Sequence, residues 1–211
     1  MTDEMVQGSD AWKKIRLGKV TASRVADVIA KTKTGWGASR ANYMAELIAE
    51  RLTGEAAPSY SNAAMAWGTE KEPEARAAYA FYADADVTEI AFVEHPKIQM
   101  TGASPDGLVG TDGLVEFKCP NTATHIDTLL GEPIAAKYIT QMQWQMACAG
   151  RKWCDWVSYD PRLPENMRLF VRRVSRDDAM IADLEKSISD FLVELSQKVD
   201  ALNMQYRQKA A

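Results

Sequence analysis

Cysteine is scarce in this 211-residue chain. Cys119, Cys148 and Cys154 are an odd number and show no C-x-x-C spacing, which argues against a disulfide framework, a zinc ribbon or a cysteine-ligated iron–sulfur cluster. Histidine is scarcer: His95 and His125 sit in no Cys/His or Ser/His arrangement suited to nucleophilic catalysis. No apolar run approaches the ~18 residues of a membrane-spanning helix. No internal repeat and no Pro/Gly/Ser-rich linker divides the sequence, so one domain over 1–211 is expected. The first ten residues are polar and acidic, unlike a secretory signal, and the cytosol is the expected compartment. What is abundant is ordinary. Apolar residues make up 46% and charged residues 26%, the balance of a globular protein long enough to bury a core without covalent staples.

An excess of positive charge is also missing. The formal net charge is −4, which argues against indiscriminate nucleic-acid binding, but the distribution says more than the sum. Residues 11–24 carry five bases (Lys13, Lys14, Arg16, Lys19, Arg24) and no acid. Residues 52–120 carry four bases and eleven acids. A further basic cluster follows at Arg168, Arg172, Arg173 and Arg176. Basic patches beside an acidic cluster suit a metal-dependent enzyme on a phosphate polymer; they equally describe solvated faces of mixed sign.

Periodicity predicts an α/β chain. After a short basic stretch, a helix is expected to start near Thr21–Ser23, with either hydroxyl as cap and Val25, Val28 and Ile29 on its apolar face. Residues 32–39 read as a loop. A second helix over 41–52 is stopped by Gly54, and a third fits 74–82 with Pro73 in its first turn. Strands are expected at 87–94, 98–103 and 114–118, the last preceded by Asp112-Gly113 turn chemistry and stopped by Pro120. A helix over 137–148, strands at 153–159 and 168–174, and a long helix after Ser175 complete the chain. In that last helix Ile181, Leu184, Ile188, Phe191, Leu195, Val199 and Leu202 recur at three- and four-residue steps, a stripe for packing on the domain or on a neighbouring subunit. The order gives a mixed central sheet flanked by helices.

The chemistry concentrates in Ser104-Pro-Asp-Gly107 and Glu116-Phe-Lys118. Residues two apart on a strand share a face, so Glu116 and Lys118 project together while Val115 and Phe117 enter the core. Asp106 sits at the mouth of the preceding turn, in reach of Glu116 across a hairpin. Proline restricts the chain before Asp106 and glycine frees it after. Two carboxylates and a lysine on one sheet edge suit a hard divalent cation such as Mg²⁺ or Mn²⁺, which keeps positions for water and phosphate. The lysine can position or deprotonate the attacking water, or stabilise charge on the phosphate. Taken alone, the same spacing also describes a surface hairpin with exposed charges.

Pro105-Asp106…Glu116-Phe117-Lys118 resembles the signature of the PD-(D/E)xK nuclease superfamily. Trp12-Lys-Lys-Ile-Arg16-Leu-Gly18, Thr21-Ala-Ser23, Ala66-Trp-Gly68, Ser104-Pro-Asp-Gly-Leu108, Glu116-Phe-Lys-Cys-Pro120 and Gln141-x-Gln143 also occur in order. Together they make the chain similar to the lambda exonuclease (YqaJ-type viral recombinase) family over roughly residues 12–159. The resemblance implies that Asp106 and Glu116 bind metal, with the Phe117 carbonyl as a further ligand, Lys118 as the catalytic lysine, and Glu72 as an upstream helix acid acting directly or through water. Gln141 would be the helix glutamine facing the site. Mg²⁺ (or Mn²⁺), two ions per site, would be the cofactor.

The same resemblance implies that Arg16, Ser23, Thr21 and Ser104 hold a 5′-terminal phosphate. A helix N-terminus with an arginine beside it supports such a site physically. Lys33 stands where a basic residue of the family reaches toward DNA, and Lys13, Lys14 and Lys19 join it as DNA-contacting candidates; His125 is a further contact candidate. The activity implied is 5′-to-3′ digestion of one strand of linear duplex DNA, with release of mononucleotides and a 3′ overhang. A homotrimeric ring and a single-strand annealing protein are the implied partners, in a phage or prophage. Two rivals are a restriction-type endonuclease of the same superfamily and a non-catalytic DNA-end binder. The intact Asp106, Glu116 and Lys118 set argues against the second. Trp12 and Trp67 are read as core, and Cys119 as a small packed side chain.

Overall fold

The computed structural model describes residues 6–57 and 62–206. The chain opens with α1 (Asp10–Arg16), whose first turn is capped by Ser9 Oγ accepting the Trp12 N–H at 3.1 Å. The expected basic stretch is therefore helical: Asp10 lies in its first turn and three bases in its last, each complementing the helix dipole. Strand β1 (Val20–Thr21) follows, then a single 3-10 turn (Ala22–Arg24) and the one-turn helix α2 (Val25–Val28). The helix expected from Thr21 is thus only a tight turn. Thr21 makes no side-chain cap, and its N–H donates instead to the Tyr43 hydroxyl at 3.2 Å. The expected loop at 32–39 holds a small hairpin, β2 (Lys31–Thr32) and β3 (Gly35–Trp36), and runs into α3 (Ala38–Thr53).

Helix α4 (Ala63–Ala83) starts eleven residues before its expected beginning. Asn62 Oδ1 accepts the Met65 N–H at 2.9 Å and sets the start, and Pro73 lies inside the helix. A proline removes one backbone bond, but the alanines around this segment keep its helix propensity high. Strands β4 (Val87–Thr88), β5 (Val93–Glu94), β6 (Thr101–Ala103), β7 (Gly107–Val109) and β8 (Gly113–Lys118) come next. The reversal between β7 and β8 is the three-residue segment 110–112, with Gly110 at φ +53°; Gly113, expected in the turn, already pairs with Val109. Helix α5 (Thr122–Leu129) was not expected. It is rich in weakly helical threonine, and its signal is the Asn121 side chain accepting the Thr124 N–H at 2.9 Å. Then follow α6 (Ala136–Ala149), β9 (Trp153–Tyr159), β10 (Leu169–Ser175) and α7 (Asp178–Tyr206). Ser175, the expected cap of α7, ends β10; Asp177 Oδ1 accepts the Met180 N–H at 2.9 Å in its place.

The main sheet has the order β10-β9-β8-β7-β4, with β8 and β9 parallel and the other pairs antiparallel. A second sheet, β1-β6-β5, is also mixed. The expected α/β class with a mixed central sheet and a long C-terminal helix is what the chain adopts. Both faces of β8 are covered. Val115 and Phe117 pack with Ala75 and Tyr79 of α4, whereas Leu114 packs with Met142 and Met146 of α6. The stripe of α7 from Ile181 to Leu195 is buried against Val25, Tyr43, Leu47 and Trp144 of the same chain, so it is core and leaves that face unavailable to a neighbouring subunit. Among the described residues no helix is long and apolar enough to cross a membrane.

Candidate active site

The pairing of β7 with β8 reaches only Gly107↔Val115, so Glu116, Phe117 and Lys118 have an open backbone edge on that side. Asp106, one residue before β7, takes it: the Phe117 N–H donates to Asp106 Oδ2 at 2.7 Å. In an extended strand a residue's N–H and C=O point to the same edge, so the Phe117 carbonyl faces the Asp106 side as well. Gly107 makes this junction possible by its size. A Cβ there would collide with the Val87 side chain and lie 3.1 Å from Val115 Cγ1. Its φ is not in the left-handed region, so the glycine is needed for space and not for the conformational freedom expected of it.

Glu116 is 1% exposed. Its carboxylate receives the Lys118 ammonium and the Gln141 Nε2 (2.6 Å) on Oε1, and the Gln145 Nε2 (2.6 Å) on Oε2. From α4, Glu72 reaches the same region and accepts Arg76 Nη2 at 2.8 Å; Arg76 also donates to the Asp106 carbonyl at 3.3 Å. A cavity of about 500 Å³ is lined by Glu72, Asp106, Phe117, Lys118, Cys119 and Tyr138, with Met65 and Gly68 of α4 on its far wall. The structure thus brings together Asp106, Glu116, Lys118, Glu72 and Gln141.

The electrostatics are those of crowded acids. Burial, then the charges of Glu116 and Glu72, push the Asp106 carboxyl well above its ordinary range despite Lys118 and the Phe117 N–H. Burial and the Glu116 charge likewise raise Glu72, against the pull of Arg76 and Lys118. Burial works against the Lys118 charge, but Glu116 and Asp106 outweigh it and raise the ammonium above the usual lysine range. Carboxylates that hold each other's protons on are relieved by a cation. Among the described residues no three His, Cys, Asp or Glu side chains are grouped so as to hold a metal ion. What the site offers is two carboxylates, Asp106 and Glu116, and the Phe117 carbonyl, all oxygen, with Glu72 of α4 lining the same cavity as Asp106. That chemistry fits a hard divalent ion retaining part of its water shell. Burial and the Glu72 charge push the Cys119 thiol up to about 12, which disfavours its thiolate at neutral pH.

A second cavity of about 420 Å³ adjoins the first at Met65, which lines both. Its walls carry Trp12, Lys13, Arg16, Lys19, Thr21, Ser23 and Arg24, and with them the carboxylates of Glu46 and Glu50. The Arg16 guanidinium stacks 3.9 Å above the Trp12 ring, and Nη1 donates to Ser104 Oγ at 3.0 Å. Among the described residues no carboxylate lies within 4.0 Å of it, whereas Arg24 is taken by Asp27 and Glu46, Lys13 by Asp10 and Lys19 by Glu94. Burial lowers the Arg16 pKa. The pocket is cationic on balance, four bases against two acids, and Arg16 is the base with no carboxylate in direct contact, Glu50 acting on it only from a distance. The helix N-terminus expected to complete it is absent in that form, because α2 has four residues and Thr21 belongs to β1. Lys14 and Lys33 line neither cavity; Lys33 is exposed in the β2–β3 turn.

His125, Trp12 and Trp67 read differently in the fold; Trp67 is half-buried outside the core clusters, with the Arg162 guanidinium 4.4 Å over its ring. His125 is fully buried, with Nδ1 2.7 Å from Ser158 Oγ and Nε2 2.8 Å from the Met167 carbonyl, so it joins α5 to the sheet and cannot touch DNA. Trp12 is not core: its Nε1 donates to the Ala91 carbonyl and to Ser104 Oγ, both at 2.9 Å, on the wall of the cationic pocket. Gln145 is not among the residues expected at the site, yet it lies one helical turn after Gln141 on the same face of α6, and that spacing of four is the available signal.

A family model described as the YqaJ-like viral recombinase domain matches residues 11–152. Among solved structures, the alkaline exonuclease LHK-Exo from Laribacter hongkongensis is 54% identical, with a TM-score of 0.88 over 93% of this chain and 97% of that one; LHK-Exo in complex with dAMP gives the same figures. A phage-related exonuclease from Haemophilus somnus 129PT shares the fold at 16% identity, with a TM-score of 0.72 over 87% of this chain and 96% of that one. No curated protein matches the chain.

Proposed function

Because the chain belongs to the YqaJ-like viral recombinase family and is a lambda-exonuclease-like nuclease, we propose that it digests one strand of linear duplex DNA from the 5′ end, releases 5′-mononucleotides and leaves a 3′ single-stranded overhang. The observation that carries this is the adjacency of two cavities, one acidic and one cationic, that meet at Met65. An enzyme that removes nucleotides one at a time from a phosphorylated end needs one site for the terminal phosphate and one for the next diester. The crystallisation of LHK-Exo with dAMP supports a mononucleotide as product.

Asp106, Glu116, the Phe117 carbonyl and Glu72 would hold Mg²⁺ (Mn²⁺ as substitute), two ions per site. When bound, the ions supply an acidified water and neutralise charge on the phosphate. The chain's own residues do the rest. Lys118, kept charged by its carboxylate neighbours, donates to the phosphate or to the attacking water. Gln141 steadies Glu116, and Arg16 with Ser23, Thr21 and Ser104 grips the 5′-phosphate. Lys13, Lys14, Lys19 and Lys33 would contact the DNA outside the two cavities or at the rim of the cationic one. A homotrimeric ring would retain the duplex without a basic outer surface, a single-strand annealing protein would take the overhang, and the cytoplasm of a phage or prophage host would be the setting. Incubation of linear and covalently closed circular duplexes with Mg²⁺ tests the reading. Mononucleotides from the linear form with the circle intact are expected; cutting of the circle would assign a restriction-type endonuclease instead.

A further inference from the structure

Gln145 is fully buried in α6 and lines neither cavity. Its Nε2 donates to Glu116 Oε2 at 2.6 Å, while Gln141 Nε2, one turn earlier, donates to Oε1 at 2.6 Å. Pointing the nitrogen at the carboxylate leaves Gln145 Oε1 buried with no hydrogen-bond partner among the described residues. Turning the amide over would satisfy nothing, because it would set a carbonyl oxygen against a carboxylate oxygen. A methionine or leucine would fill the same space without an orphaned carbonyl, so core packing alone gives no reason for an amide here. Glu116 supplies the reason. The terminal torsion of a glutamate is broad, and the two donors on Oε1, Lys118 and Gln141, hold that oxygen while leaving Oε2 free to swing about it. Donors on both oxygens, from two residues of one rigid helix, fix the plane.

We propose that Gln145 is a positioning residue that clamps the Glu116 carboxylate in the orientation needed to bind a divalent cation. It acts entirely through Glu116 and touches neither substrate nor cation. The proposal rests on the reading of Glu116 as a metal ligand. Gln143, two residues earlier, is an internal contrast. It is also buried, but it donates to the Ser175 carbonyl at 2.8 Å and accepts the Asp177 N–H at 2.9 Å, tying α6 to the start of α7 away from Glu116.

The test compares Gln145→Met with Gln143→Met in the full chain. Binding of Mn²⁺ is measured by calorimetry without DNA, and the Mg²⁺ dependence of nucleotide release is measured separately. Losing the support of a metal-binding side chain costs roughly 10–100-fold in affinity or activity. Gln145→Met should therefore weaken Mn²⁺ binding by about tenfold or more and raise the half-saturating Mg²⁺ in parallel, with an unchanged KM for duplex ends. Gln143→Met should lower the thermal midpoint and leave Mn²⁺ affinity at the wild-type value. Gln145→Leu serves as a second apolar replacement should methionine pack badly. Wild-type Mn²⁺ affinity and Mg²⁺ dependence in a folded Gln145 variant would overturn the proposal. A wild-type protein that takes up no Mn²⁺ and needs no divalent ion would overturn the reading of the site itself, which is a different result.

Discussion

Arg16 Nη1 donates to Ser104 Oγ at 3.0 Å, and Ser104 stands two residues before Asp106. Trp12 Nε1 donates to the same hydroxyl at 2.9 Å, and its ring carries the Arg16 guanidinium. Helix α1 is thereby fastened to the segment that presents Asp106. The cationic pocket and the acidic site are in this way tied to one another, as the proposed removal of nucleotides from a gripped end would require.

A terminal phosphate carries more charge than an internal diester, and the arginine without a carboxylate partner is the group that would sense it. The native protein is expected to degrade 5′-phosphorylated duplexes faster than 5′-hydroxyl duplexes. Arg16→Ala should remove most of that preference, because a charge-assisted hydrogen bond contributes about 1.5–3 kcal/mol, roughly ten- to hundredfold in rate. Matched substrates and both proteins decide it. A full preference surviving in Arg16→Ala would move the pocket elsewhere; no preference in either protein would remove it.

Much of the site was legible because strand chemistry is local. Val115-Glu-Phe-Lys118 alternates, Pro120 stops it, and the turn behind it brings Asp106 alongside, so two acids and a lysine meet as the sequence implies. The support around them was less legible. Gln145 was hidden because an amide on a buried helix face looks like any polar residue until its partner across the sheet is known. The start of α4 was hidden by Pro73, whose preference for a first turn lost to the Asn62 cap and the run of alanines. The 3-10 turn at Ala22–Arg24 replaced a full helix because Val20–Thr21 is drawn into pairing with β6.

Asp160 gives a pH dependence unrelated to catalysis. Burial works against its charge, but hydrogen bonds from the Arg162 side chain (Nε 2.7 Å) and backbone N–H outweigh it and hold the carboxyl at about 2, below the ordinary 3.8. A depressed folded pKa adds stability above the unfolded pKa, and that stability is lost as pH falls through the folded value. Arg162 is half exposed, so screening reduces the contribution to about 1–2 kcal/mol. Arg162→Met should be destabilised by that amount at pH 7, and the gap from wild type should narrow between pH 4 and pH 2. Denaturant titrations across that range would show it; a gap independent of pH would mean that Arg162 acts through its packing 4.4 Å above the Trp67 ring.

Assembly is the prediction with the least help from the chain itself. The α7 stripe from Ile181 to Leu195 is consumed by the chain's own core, and Phe81 and Tyr82, 92% and 66% exposed at the end of α4, are an adjacent pair among the large apolar side chains left exposed, which also include Leu130, Met204 and Tyr206. The family resemblance implies a trimeric ring. Sedimentation at micromolar concentration is expected to give three chain masses, and Phe81→Glu with Tyr82→Glu should shift it toward one. A monomer that degrades long duplexes processively would exclude the ring.

Hydrolysis at Asp106 is tested most directly by nucleotide release from a 5′-phosphorylated linear duplex, comparing the wild-type protein with Asp106→Ala in Mg²⁺, in Ca²⁺ and in chelator. The wild type should release 5′-mononucleotides in Mg²⁺, bind the duplex with little turnover in Ca²⁺, whose looser coordination positions water poorly, and stop in chelator. Asp106→Ala should remain folded and release nothing above background. Release at the wild-type rate by Asp106→Ala, or by the wild type in chelator, would contradict a metal-dependent nuclease centred on Asp106 and Glu116.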